Sequence, residues 1–237
     1  MATAPEGTSL VHQAVQAIRG HIREHDLKVG DTLPGESHFA SMLGVSRAVM
    51  REAFGALAAL RVLDVANGRR AKVGAIDGSV MATSLDHAVS TSQISFLEVW
   101  DVRRTIELRI AHLAAERRTE PQAQKILALA EAMPAASEDR EELARIDIAF
   151  HQAIADASHN ALFRQMVRSY APLMEVAVPQ AWETRATRAE QIATLDRHRA
   201  LAQAIADRDP EAAVAEMESH FDTSIDDLMK GRGRGGN

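Results

Sequence analysis

From residue 93 to residue 229 the apolar residues of this chain recur at intervals of three and four, and only residues that start or stop helices interrupt the run. A strand needs alternation with period two, so this pattern excludes a sheet over more than half of the chain. Helices are expected near 93–117, 121–133, 138–157, 161–177, 187–207 and 210–229. The stops are explicit: Pro121 suits position N1, Ser137 and Asn160 suit N-caps, and Asp209-Pro210 reads as a cap followed by an N1 proline. The terminal "KGRGRGGN" is low in complexity and is expected to be disordered.

The first 75 residues follow another rule. Helices are expected at about 9–24, 36–43 and 46–60, with Thr8 or Ser9 capping the first and Gly44 ending the second in a left-handed conformation. Then "RVLDVANGRRAKV" reads as strand, Asn-Gly turn, strand. The fold class is therefore mainly α: an N-terminal winged helix-turn-helix with a two-stranded wing, joined to a C-terminal all-α bundle. The expected division is a winged helix-turn-helix domain at 1–75, a linker at 76–92, a helical domain at 93–229 and a tail at 230–237.

Composition removes several classes. There is no cysteine, hence no disulfide, no thiolate metal site and no Cys nucleophile. No apolar run approaches the roughly 18 residues of a membrane span, and residues 1–8 carry no secretory signal pattern. The cytoplasm is the expected compartment. Net charge is −6, but residues 1–75 hold nine Lys/Arg against seven Asp/Glu, +2, and residues 44–72 hold six against two, +4. Local charge sets the footprint on a polyanion.

That charge coincides with a reading helix. In "LGVSRAVMREAF" the turn precedes a helix whose first residues reach the major groove in a helix-turn-helix. Ser46 and the adjacent helix N-terminus suit a phosphate. Arg47 and Arg51 are four apart and share a face, with Val49 and Ala53 as small or apolar neighbours. Arginine supplies the commonest specific contact, to guanine. The wing tip Asn67-Gly68-Arg69 is short and basic and suits backbone or minor-groove contact. A solvated helix with scattered arginines is the competing reading, and the order helix–turn–helix–wing weighs against it.

Four polar residues fall where apolar ones belong. Asp147 and His151 are i, i+4 within the stripe Leu143, Ile146, Phe150, Ile154; His198 and His220 each lie in the apolar stripe of a later helix. One core histidine is ordinarily a satisfied structural residue. Three with a carboxylate form a ligand set, because an ionised buried Asp costs several kcal/mol when unpaired and a cation is the simplest partner. Such ligands with open positions suit Zn, Ni or Mn, with Fe and Co in the same class. Arg103 shares a face with Trp100, Ile106 and Ile110 and must find an anion: Glu107, four residues on, or the carboxylate of a ligand. Thr194 precedes His198 by one turn, and Trp182 is expected in a loop from which it closes over a bound molecule.

The segment "GDTLPGESHFASMLGVSRAVMREAFGALAALRVLDVANGRRAKV" resembles the N-terminal domain of the GntR family of bacterial regulators, matching at Gly30-Asp31, Leu33-Pro34, Glu36, Val45-Ser46-Arg47, Arg51-Glu52-Ala53 and Gly68. Met50 replaces a usual Val, and Ser37 stands where the family carries a DNA-contacting Arg. "DVRRTIELRIAHLAAER", "RIDIAFHQAIADASHNALF" and "HRALAQAIADRDPEAAVAEMESH" resemble the FCD effector domain of the FadR-type branch. That resemblance implies metal ligands at Asp147, His151, His198 and His220, a small carboxylate effector held by Arg103, and a role for Trp182 and Thr194 similar to that in sugar-acid responders. It disfavours the fatty-acyl-CoA branch, which lacks the metal set.

The expected function is a transcriptional repressor that binds palindromic operator DNA as a homodimer and is controlled by a sugar acid or hydroxy acid at a divalent metal. The alternative is a metal-dependent small-molecule hydrolase; against it, no nucleophile or further general base sits at useful spacing, so no catalytic residue is expected. A plain architectural DNA protein leaves the inward polar cluster unexplained.

Overall fold

The computed structural model describes residues 9–66, 69–185 and 187–234, with side chains described as far as Thr223. The chain divides into two compact units, Met1–Val80 and Met81–Asn237. Each has its own core, and the two cores share no residue.

In the first unit α1 (Leu10–Glu24) starts at Ser9, whose side chain accepts the His12 amide. The second helix, α2 (Glu36–Leu43), ends at Gly44 with φ 65°, the left-handed C-cap expected of a glycine. The third, α3 (Arg47–Ala59), packs on α1 and α2 through Met50, Phe54 and Leu57. The wing strands are short, β1 (Leu63–Asp64) and β2 (Lys72–Val73), paired antiparallel. The pairing extends through Thr32 opposite Lys72 and through the Leu33 amide on the Ala71 carbonyl, so the segment before α2 is stitched to the wing. Gly74 has no freedom to carry a side chain: a Cβ there would lie 2.2 Å from the Arg61 carbonyl oxygen. Asn67 and Gly68, the expected wing tip, lie outside the described residues.

The second unit is an all-α bundle: α4 (Ser79–Ser90), α5 (Phe96–Arg117), α6 (Glu120–Ala132), a 3-10 turn (Met133–Ala136), α7 (Arg140–Ala157), α8 (Ala161–Ser169), α9 (Ala171–Thr184), α10 (Arg188–Ala206) and α11 (Pro210–Arg234). Helix α5 packs against α7, α10 and α11, and α7 also packs on α6 and α9. Capping boxes at Ser95/Glu98, Thr119/Gln122 and Thr187/Glu190 set the starts of α5, α6 and α10.

Several expected boundaries move. Pro121 is the second residue of α6, because Thr119 supplies the cap. Ser137 closes the 3-10 turn, and Asp139 caps α7 by accepting the Glu141 and Glu142 amides. The helix expected at 161–177 is two helices. Tyr170 separates them, Pro172 cannot donate in the first turn of α9, and α9 then continues through Pro179 to Thr184. The backbone of α11 is helical to Arg234, past the point where the glycine-rich composition signals disorder, since intrahelical bonds need no tertiary partner. Residues 235–237 lie outside the described ones.

Candidate functional site

The start of α3 carries the candidate reading face. Ser46 caps the helix by accepting the Val49 amide at 3.2 Å, which leaves its hydroxyl proton to donate. Arg47 is exposed, and the Arg51 side chain is 79% exposed with a long 3.8 Å ion pair to Glu36 on α2. A surface pair of that kind contributes about 0–1 kcal/mol and yields readily to a phosphate or base. Ala53, expected beside the arginines, is buried in the core, and Val49 is half-buried against it. Both follow from α3 docking on α1 through the same helical face. Arg69 and Arg70 at the wing are exposed, as is Ser37.

The second unit gathers its polar residues in one place. His151 on α7, His198 on α10 and His220 on α11 each offer a ring nitrogen, and these three atoms lie within 4.8 Å of one another. Asp147 reaches the group through His198, whose Nε2 lies 3.1 Å from Asp147 Oδ1. All four side chains are buried. Phe150 and Phe221 wall the imidazoles with edge-on rings.

The hydrogen bonds assign the tautomers. His198 Nδ1 donates to the Thr194 carbonyl at 2.9 Å, and His151 Nδ1 donates to Glu107 Oε2 at 2.5 Å. In the neutral form of either ring, Nε2 is then the nitrogen free to ligate. His151 Nε2 has no hydrogen-bond partner among the described residues. His198 Nε2 lies 3.1 Å from Asp147 Oδ1, a hydrogen bond that needs a proton on Nε2 and that a bound cation would replace. Burial and the neighbouring His198 and His151 push His220 well below the ordinary imidazole value, towards the form that ligates. Burial raises the Asp147 carboxyl, but the His198 hydrogen bond and the surrounding imidazoles outweigh it and hold Asp147 well below the usual carboxylate range. Inward-facing lone pairs, an ionised carboxylate and an orphaned buried nitrogen fit a divalent cation.

A cavity of about 40 Å³ adjoins the group, with Asp147, His198 and His220 in its wall. Arg103, Trp100, Thr194, Trp182 and Arg185 line the rest, together with apolar side chains. Arg103 is 3% exposed. Its Nε donates to Glu107 at 2.5 Å, Nη1 contacts the Met174 sulfur, and the guanidinium lies over the Trp100 and Phe221 rings. The indole N–H of Trp100 is buried without an acceptor among the described residues. Trp182, expected in a loop, sits on α9, with its indole donating to the Ser137 carbonyl at 3.1 Å. It is a fixed wall. Proline-containing sequence reads as a loop, but here Pro179 is carried inside the helix.

Residues 10–73 match the gntR family of bacterial regulatory proteins, and residues 98–223 match the FCD domain. The Glc operon transcriptional activator of Escherichia coli strain K12 is 32% identical over 203 residues, which are 83% of this chain and 80% of that protein. The chain belongs to the GntR family, FCD branch. LutR of Bacillus subtilis strain 168 is 27% identical across 89% of this chain and 96% of its own length. The galactonate operon transcriptional repressor of Escherichia coli K12 is 30% identical across 78% and 81%. The GntR structure from Streptococcus agalactiae superposes with a TM-score of 0.63 at 24% identity, covering 90% of this chain and 97% of that one, and so shares the fold. These relatives are transcription regulators, and nothing among them supports the hydrolase alternative. In this FCD bundle, sequence reasoning passed over three residues. Glu107 was visible only as a partner for Arg103. The Trp100 donor was lost among core aromatics. Arg185 follows a helix end and carried no pattern of its own.

Proposed function

We propose that this GntR–FCD protein is a cytoplasmic repressor that binds palindromic operator DNA as a homodimer and responds to a small carboxylate held at a divalent metal. Residues 1–75 would read DNA through Ser46, Arg47, Val49, Arg51 and the wing at Asn67, Gly68 and Arg69. Residues 93–229 would hold the ion, of the Zn, Ni or Mn class, through Asp147, His151, His198 and His220, and residues 76–92 would link the two. A bound ion supplies a Lewis-acidic centre for the oxygens of a carboxylate or hydroxyl.

The observation that carries the reading is the cavity wall. Three of the four candidate ligands, Asp147, His198 and His220, line one small cavity that Arg103 and Trp100 also line, and the Trp100 indole N–H has no acceptor among the described residues. This chemistry selects an anion with oxygen donors. Thr194 holds His198 from behind through its carbonyl, and Trp182 closes one wall. Size favours one end of the class. At roughly 10–15 Å³ for each water centre, about 40 Å³ holds about three waters, which is the bulk of a two- or three-carbon hydroxy acid. A six-carbon sugar acid requires the walls to open.

The test starts from double-stranded DNA selected by the full chain from a random library. The selected sites should be palindromic, and glycolate or lactate should release them only when Zn²⁺ or Ni²⁺ is present. Release by galactonate alone would overturn the size argument. Operator binding indifferent to metal and to all three acids would overturn the effector reading and leave the DNA reading intact.

A further inference from the structure

Glu107 is 1% exposed and uses both of its carboxylate oxygens, Oε1 on Arg103 Nε and Oε2 on His151 Nδ1, each at 2.5 Å. It is not adjacent to the ion-binding atoms and offers them nothing directly. We propose that Glu107 is the positioning residue of the metal centre: it fixes the proton of His151 on Nδ1 and so turns the Nε2 lone pair towards His198 and His220. The proposal rests on the metal reading above.

The argument is one of proton accounting. A neutral imidazole carries one ring proton, on either nitrogen, and the two tautomers are close in energy in water. Only the Nδ1–H form presents Nε2 as a ligand here. His198 obtains that form from a main-chain acceptor one turn away, the Thr194 carbonyl. His151 has no such bond to the carbonyl at 147, and Glu107 on the neighbouring helix α5 supplies the acceptor from behind. A carboxylate without a proton cannot donate, so Nδ1 must. The other end of the ring fits this: Nε2 is buried without a hydrogen-bond partner among the described residues, and His151 is one of the three histidines whose ligand atoms lie within 4.8 Å of one another.

Arg103 completes the device. A carboxylate buried to this degree is costly alone, and the guanidinium on the same helix, one turn earlier, neutralises it and occupies its second oxygen. Rotation of Glu107 is thereby blocked, and the oxygen facing His151 stays in place. Carboxylate partners of metal-bound histidines orient the ring and raise its basicity, and their loss typically weakens metal binding about 10–100-fold. Glutamine cannot replace this residue. Its carbonyl can satisfy either Arg103 or His151, and its amide N–H₂ then faces a donor or forces His151 Nδ1 to accept, which moves the ring proton to Nε2.

The experiment uses the full chain. In metal-free protein, long-range proton–nitrogen correlation spectra of the histidine rings, with His151 assigned from a His151→Gln variant, should show wild-type His151 protonated at Nδ1. Glu107→Gln should lose that form, and its Zn²⁺ affinity, measured against a chromophoric chelator, should fall about 10–100-fold. The double variant Arg103→Met/Glu107→Gln removes the guanidinium that the single change leaves unpaired; it should show the same two losses and serves if the single variant does not fold. His151 protonated at Nε2 in the wild type overturns the proposal without any variant. A folded Glu107→Gln or double variant with wild-type Zn²⁺ affinity overturns it while the metal reading stands. A wild type that takes up no stoichiometric Zn²⁺ removes the metal reading itself, and the proposal with it.

Discussion

At the residue scale the molecule concentrates its unusual chemistry in a few buried side chains. His198 and His220 are 4% and 6% exposed and are walled by aromatic rings, so no water replaces a missing ligand cheaply. His198→Ala and His220→Ala should each lose stoichiometric metal by elemental analysis and melt at a lower temperature in metal-containing buffer, because an ion that binds only the native state stabilises it. Retention of one ion per chain in both would place the site elsewhere. Arg103 has a double engagement: its Nε donates to Glu107, and the residue also lines the cavity. Arg103→Lys keeps a cation against Glu107 but gives up the planar fork. It should blunt the thermal stabilisation by a hydroxy acid, and an undiminished response would reduce Arg103 to a structural ion pair. At the reading face, Arg47→Ala should weaken operator binding by about 1–3 kcal/mol if it reads a base. Arg69→Ala should instead weaken binding to all sequences alike and flatten its salt dependence. Unchanged affinity in both variants would clear the proposed face.

At the element scale, α5 is the piece on which the site depends. It contributes Trp100, Arg103 and Glu107, and it contacts α7, α10 and α11, the helices that carry the four candidate ligands. Its start is fixed by a reciprocal capping box in which Ser95 accepts the Glu98 amide at 3.2 Å and Glu98 accepts the Ser95 amide at 2.7 Å. Ser95→Ala should cost about 1 kcal/mol, read as a lower melting temperature. Because Trp100, Arg103 and Glu107 lie beyond the first turn, metal content should be unchanged. A loss of metal in Ser95→Ala would show that the register of α5, and not only its stability, depends on the cap. In the first unit the helix boundaries were legible because each carries its own stop: Ser9, Gly44 and Ser46 stand where their conformations and hydrogen bonds are needed. The break at Tyr170 and the passage through Pro179 were not legible, because proline signals a boundary in isolation and only the packing of α9 on α7 and α11 decides whether the helix continues.

At the scale of the whole molecule, two cores without a shared residue imply two cooperative units, Met1–Val80 and Met81–Asn237. The candidate ligands all belong to the second. Calorimetry of the full chain should therefore show that a chelator lowers the transition of the helical unit and leaves that of the DNA-binding unit in place. A chelator that moves both transitions together would mean that the two units unfold as one. Control of DNA by an acid then requires the acid to bind differently to two arrangements of the chain, since a ligand of equal affinity for both shifts nothing.

The sequence by itself determined the class of each half and singled out the candidate ligand set. Periodicity and capping are local properties, written within one or two helical turns, and a polar residue in an apolar stripe is conspicuous wherever the helix lies. Tertiary structure decided what those residues meet. Glu107 is 44 positions from His151 in the chain and 2.5 Å from it in the fold. Asp147 and His198 are 51 positions apart and touch. No spacing rule encodes such pairs, because they depend on how α5, α7 and α10 cross. The same crossing decided that Ala53 faces the core, that Trp182 is a wall instead of a lid, and that the cavity beside the histidines is small.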